Sequence, residues 1–347
     1  MTDTLVTPSD AERSTGDVLL EVEDLAVEFR SDDGTVRAVD GLGYRVEAGR
    51  TLALVGESGC GKSVSSLAVM GLLPPTARVV RGSARYRGTD LLALSASQHR
   101  AHCGTHVAMV FQDALAALNP VHTVGYQLTE SLRARTGTSR REARRRAVEL
   151  LDLVKVPNAA QRVDEYPHQF SGGMRQRVMI ASALALDPDV LIADEPTTAL
   201  DVTVQAQVLR LLAEIQAERQ MGLVLITHDL GVVAGVADDV TVMYAGRAVE
   251  HAPVRDLYAA PAHPYTRALL RSVPRLDVVD ERAGGRLPVV PGRPPAPGRV
   301  PSGCSFHPRC DMARDLCRTD EPPLDGVAPG RSSACHFAAE LLGGARA

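Results

Sequence analysis

The hydrophobic and polar positions of the chain form two alternating patterns. Short, continuous apolar runs recur at residues 51–55, 107–111, 190–193 and 223–227, and segments with helical spacing lie between them. Continuous apolar runs are typical of strands buried on both faces, as in a parallel sheet covered by helices. Residues 19–29 instead alternate apolar and polar positions, which indicates a half-buried strand. Strands that alternate with helices predict an α/β fold with a mostly parallel sheet.

The pattern becomes helical between residues 120 and 169. Ser139 and Glu142 have the spacing of a capping box. The basic run 140–146 lies on the same helix, and we interpret it as a solvated face, with docking to a partner or to anionic lipid as the alternative. Residues 277–298 are rich in Pro, Gly and Arg and are predicted to form an extended connector. Two short helices are predicted before it, at residues 254–259 and 266–272.

Residues 64–73 are predicted to form a helix that Pro74 and Pro75 end. The segment between the strand 51–55 and this helix fits the phosphate-loop pattern G-x-x-x-x-G-K-[ST]. Glycines let backbone N–H groups close round phosphate oxygens, and the N-terminus of the next helix adds partial positive charge. Lys62 is a compact cation for the β- and γ-phosphates, and the hydroxyl of Ser63 can ligate Mg²⁺. Cys60 is interpreted as a bystander whose alkylation should block the loop. The loop consists of Gly56, Glu57, Ser58, Gly59, Cys60, Gly61, Lys62 and Ser63.

Polar side chains follow several of the predicted strands. Gln112, the pair Asp194 and Glu195, and His228 each stand at the carboxyl end of an apolar run. Ligand groups collect at such ends in open α/β sheets, so these residues are expected to gather near the phosphate loop. Phe29 ends the alternating strand, and its position favours stacking on a nucleotide base and packing in the core about equally.

Composition narrows the class of partner. The chain has 347 residues, with 38 Lys and Arg against 42 Asp and Glu, and it contains no Trp. A net charge of −4 and the scarcity of aromatic residues give no case for a nucleic-acid partner. The longest apolar stretches, such as 178–186, are too short to span a membrane, and the polar N-terminus lacks a signal-peptide pattern. We therefore expect a cytosolic protein in which the six cysteines serve metal binding or reactivity rather than disulfides.

Six elements in this order resemble the nucleotide-binding subunit of ATP-binding cassette (ABC) transporters. They are the phosphate loop, Gln112, the signature Phe170-Ser171-Gly172-Gly173-Met174, the pair Asp194-Glu195, the run Thr198-Ala199-Leu200-Asp201, and His228. Phe170 and Met174 replace the commoner Leu and Gln of the signature, and Ala114 stands where many relatives have Pro. None of these departures removes a reacting group.

The resemblance implies a fold and a division of the chain. The fold is an α/β P-loop NTPase with an ABC-type helical subdomain and an antiparallel β subdomain, plus a small cysteine-containing C-terminal extension. Residues 1–17 would be a flexible tail and residues 18–252 the ABC nucleotide-binding domain, with its helical subdomain at about 113–170. Residues 253–347 would form an extension of the oligopeptide-transporter type.

The resemblance also implies the roles of the site residues. Asp194 would hold Mg²⁺ beside Ser63, with Gln112 sensing the metal and the γ-phosphate. Glu195 would act as general base on the attacking water, and His228 would contact the γ-phosphate. Two ATP molecules would be sandwiched between two subunits, because the signature faces the phosphate loop of the second subunit. The signature residues that would bind nucleotide in this way are Ser171, Gly172 and Gly173. Asp201 is also expected to be a nucleotide-binding residue.

The C-terminal third narrows the type of transporter. Residues 261–270 (PAHPYTRALL) and 301–310 (PSGCSFHPRC) are similar to segments of the dipeptide, oligopeptide and nickel importer subfamily. Peptide import is the first interpretation, and nickel or another small solute is the alternative. The resemblance implies a second ATPase subunit, identical or homologous, two transmembrane permease subunits and an extracytoplasmic solute-binding protein. The chain would then lie peripherally on the cytoplasmic side of the cell membrane.

Three other functions compete with transport. A soluble cassette protein of DNA repair or of the ribosome would usually carry two cassettes or a long coiled-coil insertion, and neither is present in the sequence. A phosphotransferase predicts a substrate pocket and no signature. A regulatory subunit that does not hydrolyse ATP is disfavoured by the presence of both Glu195 and His228.

The last four cysteines form a separate group. Their spacing, C-x5-C-x6-C-x17-C, differs from the paired C-x2-C units of a zinc ribbon. Four thiolates in one short segment could still close round one centre. A [4Fe–4S] cluster is the first hypothesis, which relatives with this tail also imply, structural zinc is the second, and unligated thiols are the third. The proposed ligands are Cys304, Cys310, Cys317 and Cys335.

Overall fold

An eight-stranded sheet forms the centre of the molecule. The protein is represented by a computed structural model that describes residues 17–31, 34–198, 200–273, 290–296 and 298–343. The predicted tail, apart from Asp17, and most of the predicted connector lie outside the described residues. The strands are β1 (Val18–Ser31), β2 (Gly34–Glu47), β3 (Thr51–Val55), β4 (Ala77–Tyr86), β5 (Thr89–Asp90), β6 (Val107–Val110), β7 (Val190–Asp194), β8 (Gly222–Thr227), β9 (Asp239–Tyr244), β10 (Arg247–Pro253), β11 (Asp325–Ala328) and β12 (Arg331–Ser333).

The order of the large sheet is β11-β12-β10-β9-β3-β8-β7-β6. The five strands from β9 to β6 run parallel, and β10, β12 and β11 add to one edge in antiparallel fashion. Every residue of β3, β6, β7 and β8 is buried. This confirms the parallel sheet that the continuous apolar runs predict, because such runs supply apolar side chains to both faces.

The helices cover the sheet on both faces. Along β7, Leu191 and Ala193 pack into a core shared with helices from the segment 124–219, whereas Val190 and Ile192 face the opposite side of the sheet. The helices are α1 (Lys62–Val69), α2 (Ala96–His102), α3 (Ala114–Ala117), α4 (Val124–Thr136), α5 (Arg140–Leu153), α6 (Ala159–Arg162), α7 (Gly172–Ala183), α8 (Val202–Arg219), α9 (Leu230–Val233), α10 (Val254–Ala259), α11 (Pro264–Ser272), α12 (Leu316–Thr319) and α13 (Ala338–Gly343). None of the helices within the described ranges combines the length and the hydropathy that crossing a bilayer requires.

A second, antiparallel sheet has the order β2-β1-β4-β5. Its apolar face packs with α1 and the large sheet in one core, to which Leu20 of β1, Val69 of α1 and Leu54 of β3 all belong. The predicted strand is confirmed as β1, which extends beyond Phe29 to Ser31. Its alternation is interrupted where the pairing register shifts, because Leu25, Ala26 and Val27 are all buried. The helix α1 therefore lies between two sheets, and this fixes the position of the phosphate loop at its N-terminus.

The basic helix α5 follows the predicted pattern. Ser139 caps it by accepting a hydrogen bond from the backbone N–H of Glu142, 3.3 Å away. Its apolar positions, among them Ala143 and Leu151, are buried, while Arg144 forms an exposed ion pair with Asp164. These contacts agree with a solvated basic face.

The first helix ends earlier than its sequence predicts. We expected α1 to continue until Pro74 stopped it, but it ends at Val69. Gly71 adopts a left-handed conformation with φ +65°, and the N–H of Leu72 donates to the carbonyl of Leu67 at 2.8 Å. This pair of features is a Schellman motif, which ends a helix before the prolines are reached.

The C-terminal extension continues the large sheet. Its strand β12 pairs with β10, which the sequence places at the end of the nucleotide-binding domain. The buried carboxylate of Glu250 accepts hydrogen bonds from the N–H groups of Ala262, at 2.7 Å, and His263, at 3.0 Å. His263 is itself buried, which lowers the pKa of its imidazole to about 3 and keeps the ring neutral. These contacts fix the start of α11 against the sheet.

Candidate nucleotide-binding and hydrolysis site

The phosphate loop connects β3 to α1, and its shape depends on glycine. A Cβ atom at Gly56 would lie 2.2 Å from the carbonyl oxygen of Met243. Gly61 has φ +103°, and a Cβ atom there would lie 2.5 Å from the carbonyl oxygen of Ala38. Any larger residue would clash at both positions, so the strands β2 and β9 hold the loop in a tight curve.

The ammonium of Lys62 lies inside this curve. Its Nζ donates hydrogen bonds to the carbonyl oxygens of Gly56, at 2.7 Å, and Glu57, at 3.1 Å. The side chain is almost fully buried. A buried ammonium held by neutral carbonyl groups is poised to exchange them for phosphate oxygens, which are charged acceptors.

Cys60 is buried within the loop, 3.6 Å from the Nζ of Lys62. Burial raises the pKa of its thiol, and the nearby ammonium offsets only part of this effect. A buried, neutral thiol reacts slowly, because the thiolate is the reactive form. The expected block of the loop by alkylation stays a prediction, and it requires the thiol first to become exposed.

Ser63 and Asp194 form an oxygen pair beside the loop. The Oγ of Ser63 donates a hydrogen bond of 2.9 Å to Oδ1 of Asp194, the last residue of β7. Burial raises the pKa of Asp194, and the hydrogen bond from Ser63 works in the opposite direction. Mg²⁺ in nucleotide sites typically takes one or two protein oxygens in addition to phosphates and water, so this donor pair fits the ion.

Glu195 follows Asp194 in a left-handed conformation, with φ +44°. Its N–H donates to the carbonyl of Ile226 in β8, at 3.0 Å, which anchors the residue against the neighbouring strand. Its carboxylate accepts hydrogen bonds from Nε2 of Gln112, at 3.1 Å, and from Oγ1 of Thr198, at 2.8 Å. Nδ1 of His228 lies 3.2 Å from the other carboxylate oxygen.

The electrostatics of Glu195 keep its carboxylate ionised. Burial alone would raise its pKa, but the hydrogen bonds from Thr198 and His228 outweigh burial and lower the pKa below the ordinary value. The carboxylate is therefore ionised at neutral pH. Because β6, β7 and β8 are adjacent and parallel, the residues after them meet at one edge, as the sequence predicts. The predicted residues that the structure brings together here are Ser63, Gln112, Asp194, Glu195 and His228.

The signature residues stand at a different place from this cluster. Ser171 caps α7 by accepting a hydrogen bond from the N–H of Met174, at 3.3 Å, and Asp201 caps α8 in the same way through Val204, at 2.9 Å. Ser171, Gly172 and Asp201 are exposed. Within the described part of the chain, no side-chain hydrogen bond of Ser171 or Asp201 reaches the phosphate loop. Both helix N-termini are therefore open to a partner.

The lack of a side chain at Gly173 allows α7 and α8 to pack closely. A Cβ atom at this position would lie 2.6 Å from Cγ1 of Val204. Glycine therefore allows α7 to approach the first turn of α8 closely, which keeps the signature and Asp201 side by side.

Phe29 is half-buried in the antiparallel sheet, opposite Val36 of β2 and Ala77 of β4. It packs at the margin of the core, and its strand partner β2 reaches the loop at Ala38. The partly open ring is compatible with both interpretations, so stacking on a base stays a prediction.

The four late cysteines line one small cavity. Backbone N–H groups of Met312 and Phe337 donate to the sulfurs of Cys310 and Cys335, each at 3.4 Å. Burial raises the pKa of the thiols of Cys304, Cys310 and Cys335, that of Cys335 to about 11. Among the described residues, no three His, Cys, Asp or Glu side chains are close enough together to form a ligand set for a metal ion.

Two residues of the extension contact the phosphate loop and are not among the site residues predicted from the sequence. Tyr265 and Arg309 both bond to Glu57. A signal was present, because the two residues belong to the segments 261–270 and 301–310 that the resemblance singles out.

The fold and the site define a P-loop nucleotide hydrolase, with a buried lysine in a glycine loop and an ionised Glu at the adjoining strand ends. Residues 39–198 match the family described as ABC transporter, and residues 249–317 match the family described as oligopeptide/dipeptide transporter, C-terminal region. The chain belongs to the ABC transporter family and is an ATPase subunit of that family.

Two relatives match along nearly the whole chain. The dipeptide transport ATP-binding protein DppD of Escherichia coli is 48% identical over 319 residues, which cover 92% of this chain and 96% of the relative. The oligopeptide transport ATP-binding protein OppD of Salmonella typhimurium is 49% identical over 325 residues, which cover 94% and 95%.

Solved structures agree with the fold. A dimeric bacterial ABC transporter cassette is 24% identical, with a TM-score of 0.62, and the match covers 68% of this chain and 99% of the cassette. The cbiO1 protein of Clostridium perfringens, part of the ABC transporter complex cbiONQ, is 27% identical with a TM-score of 0.60, and the match covers 70% and 91%.

Proposed function

We propose that this chain is the ATP-hydrolysing subunit of an importer that carries dipeptides or oligopeptides across the cytoplasmic membrane. The observation that carries the proposal is the similarity to two peptide transport ATP-binding proteins, which extends through the C-terminal region. Import of nickel or another small solute is the alternative. The chain would act at the cytoplasmic side of the membrane.

The site residues have the following roles in the proposal. Lys62 leaves the loop carbonyl groups and binds the β- and γ-phosphates. Ser63 and Asp194 hold Mg²⁺, which neutralises charge on the phosphates. Glu195 accepts the proton of the attacking water, for which its ionised state prepares it.

Gln112 and His228 orient this base. Each lies within hydrogen-bond distance of the carboxylate of Glu195, one from the end of each neighbouring strand. Gln112 begins the segment that leads into the helical region, so a change in its contacts at the γ-phosphate can be passed to α3 and α4.

The signature acts in a dimer of ATPase subunits. The exposed cap of α7, with Ser171 and Gly172, offers N–H groups and a helix dipole to a γ-phosphate bound by the other subunit. The likeness to a dimeric cassette supports this arrangement. Bound γ-phosphate then favours the closed pair, and hydrolysis removes that contact. The second subunit is either identical or homologous.

The helical region would receive two permease subunits, which work with an extracytoplasmic solute-binding protein. Exposed apolar side chains follow Gln112, with Leu115 62% and Val121 71% accessible and Tyr126 also exposed. Large apolar groups in solvent mark surfaces that bind partners. They support docking of permease segments at α3 and α4.

The transported solute can be tested by uptake in the native host. In cells that lack this chain, we expect uptake of a radiolabelled dipeptide and tripeptide to fall to background, while uptake of radioactive nickel is unchanged. Supplying the parent chain or Glu149→Gln, a change on the exposed face of α5, should restore peptide uptake, whereas Glu195→Gln should not. Loss of nickel uptake with normal peptide uptake would favour the alternative solute.

We further propose that Cys304, Cys310, Cys317 and Cys335 hold an iron–sulfur cluster that stabilises the extension, with structural zinc as the second hypothesis. All four residues line one cavity, and two of the sulfurs accept backbone N–H groups. Among the described residues no three of these side chains lie close enough together to ligate a metal, so cluster binding would have to draw the thiols inward. Hydrogen bonds to sulfur are typical of iron–sulfur sites and favour the thiolate form that ligation needs.

Metal analysis after anaerobic purification tests the cluster. We expect brown protein with about four iron atoms and as many acid-labile sulfides per chain. The variant Cys317→Ser should lose most of this iron, whereas Cys103→Ser, at a cysteine outside the cavity, should keep it. Colourless protein without iron would contradict the cluster, and one equivalent of zinc lost in Cys317→Ser would support the second hypothesis.

A further inference from the structure

The C-terminal extension reaches into the phosphate loop through Arg309. The guanidinium of Arg309 donates two hydrogen bonds to the carboxylate of Glu57, one from each terminal nitrogen, at 2.7 and 2.9 Å. The side chain of Arg309 is 5% exposed and that of Glu57 is 25% exposed. A paired, two-point contact of this kind fixes direction as well as distance.

Arg309 is itself held rigidly. Its Nε donates to the carbonyl of Pro291 at 2.7 Å, and one terminal nitrogen also lies 3.3 Å from the hydroxyl of Tyr244. The guanidinium carbon lies 5.7 Å from the ring centre of Tyr244 and 5.8 Å from that of Phe306. The cation is therefore fixed at one place relative to the loop.

Every polar group of Glu57 has a partner. Its N–H donates to the hydroxyl of Tyr265 in α11 at 3.0 Å, its carboxylate binds Arg309, and its carbonyl accepts from Lys62. The extension thus holds the amide and the side chain of one loop residue, and the lysine that meets the triphosphate bonds to the same residue. Movement of Glu57 would move the resting position of Lys62.

The contact with Arg309 also neutralises the negative charge of Glu57. Glu57 places a carboxylate in a loop whose function is to bind an anion. Left unpaired, this carboxylate would repel the incoming triphosphate, and a partly buried charge without a partner is also costly. The ion pair with Arg309 neutralises this carboxylate, so it neither repels the triphosphate nor stays buried without a partner.

We propose that Arg309 is a positioning residue for ATP binding, through which the extension sets the shape and the charge of the phosphate loop. Tyr265 assists by fixing the amide of Glu57. The inference rests on the ATPase role of the chain and does not depend on which solute is transported.

Variants of Arg309 in the full-length chain test the inference by ATP titration calorimetry and by ATPase kinetics. We expect Arg309→Gln to raise Kd and KM for ATP about tenfold or more, with kcat changed less than about threefold. Arg309→Lys, which keeps the charge but not the two-point contact, should be intermediate. The control Asp311→Asn removes an exposed ion pair with Arg267 in the same segment, so ATP binding should not change.

A double variant separates the effect of the unpaired Glu57 charge from simple tethering of the extension. Glu57→Gln removes the repelling carboxylate, so in the Arg309→Gln background it should bring Kd back to within about threefold of the parent value. Tethering alone predicts no such recovery. The inference is overturned if Arg309→Gln binds ATP as the parent does, if Asp311→Asn is equally impaired, or if the double variant binds no better than Arg309→Gln.

Tyr265→Phe provides an independent measurement should Arg309→Gln fail to fold. The change deletes only the hydroxyl that accepts the N–H of Glu57, and the ring stays packed against Tyr244 and Phe306. We expect Kd for ATP to rise about threefold or more. Folded Tyr265→Phe and Arg309→Lys that both bind ATP with the parent Kd would equally overturn the inference.

Discussion

Replacing Glu195 with Gln is expected to slow ATP hydrolysis by about 10²–10⁴-fold while ATP binding is retained. The carboxylate accepts hydrogen bonds from Gln112 and Thr198, and its lowered pKa keeps it ionised and able to take a proton. An amide has nearly the same shape but cannot act as a base. Lys62, Ser63 and Asp194 are untouched, so the contacts proposed for nucleotide and Mg²⁺ are retained.

The same variant should accumulate as a closed dimer in the presence of ATP, because hydrolysis no longer removes the γ-phosphate that favours closure. Size-exclusion chromatography with and without ATP measures this, and a phosphate-release assay measures the rate. Glu149→Gln, an exposed change on α5, should hydrolyse ATP as the parent does. Hydrolysis by Glu195→Gln at the parent rate would show that another group is the base.

The parallel sheet and the cluster at its strand ends could be predicted because their signals are local. The apolar runs that became β3, β7 and β8 are continuous, and the polar residues come directly after them. Once the strands are parallel and adjacent, geometry alone brings Gln112, Glu195 and His228 together. The sequence does not predict that Thr198 also bonds to Glu195, since a short loop rather than a strand determines that contact.

Contacts between distant segments could not be predicted. Glu57 and Arg309 are 252 residues apart, and neither belongs to a periodic pattern that would indicate a shared face. The strand β12 is short and polar, and it exists because the edge of β10 offers it a partner. The early end of α1 depends on the backbone of Gly71, whereas the more visible prolines lie beyond it. In each case tertiary structure or turn geometry decides what local propensity leaves open.

The buried carboxylate of Glu250 holds the start of the extension against the large sheet. Glu250 has its pKa raised by burial, yet it bonds to two backbone N–H groups of the segment that precedes α11. This fixes α11, and α11 in turn places Tyr265 against the phosphate loop. The extension is thus joined to the nucleotide site by a continuous series of contacts from the large sheet.

Replacing Lys62 with Ala is expected to weaken ATP binding by about 10²-fold or more, because the loop loses its cation and the carbonyl groups of Gly56 and Glu57 lose the ammonium that binds them. The carbonyl oxygens of Gly56 and Glu57 would then face the triphosphate without an intervening positive charge. Titration calorimetry with ATP and Mg²⁺ measures the loss, and thermal unfolding checks that the chain is folded.

Lys155 offers a matched control, since it is the other lysine of the sequence and lies exposed just after α5. Lys155→Ala should bind ATP with the parent affinity. Undiminished ATP binding by folded Lys62→Ala would show that the loop holds phosphate without its lysine, and the assignment of Lys62 to the β- and γ-phosphates would then be wrong.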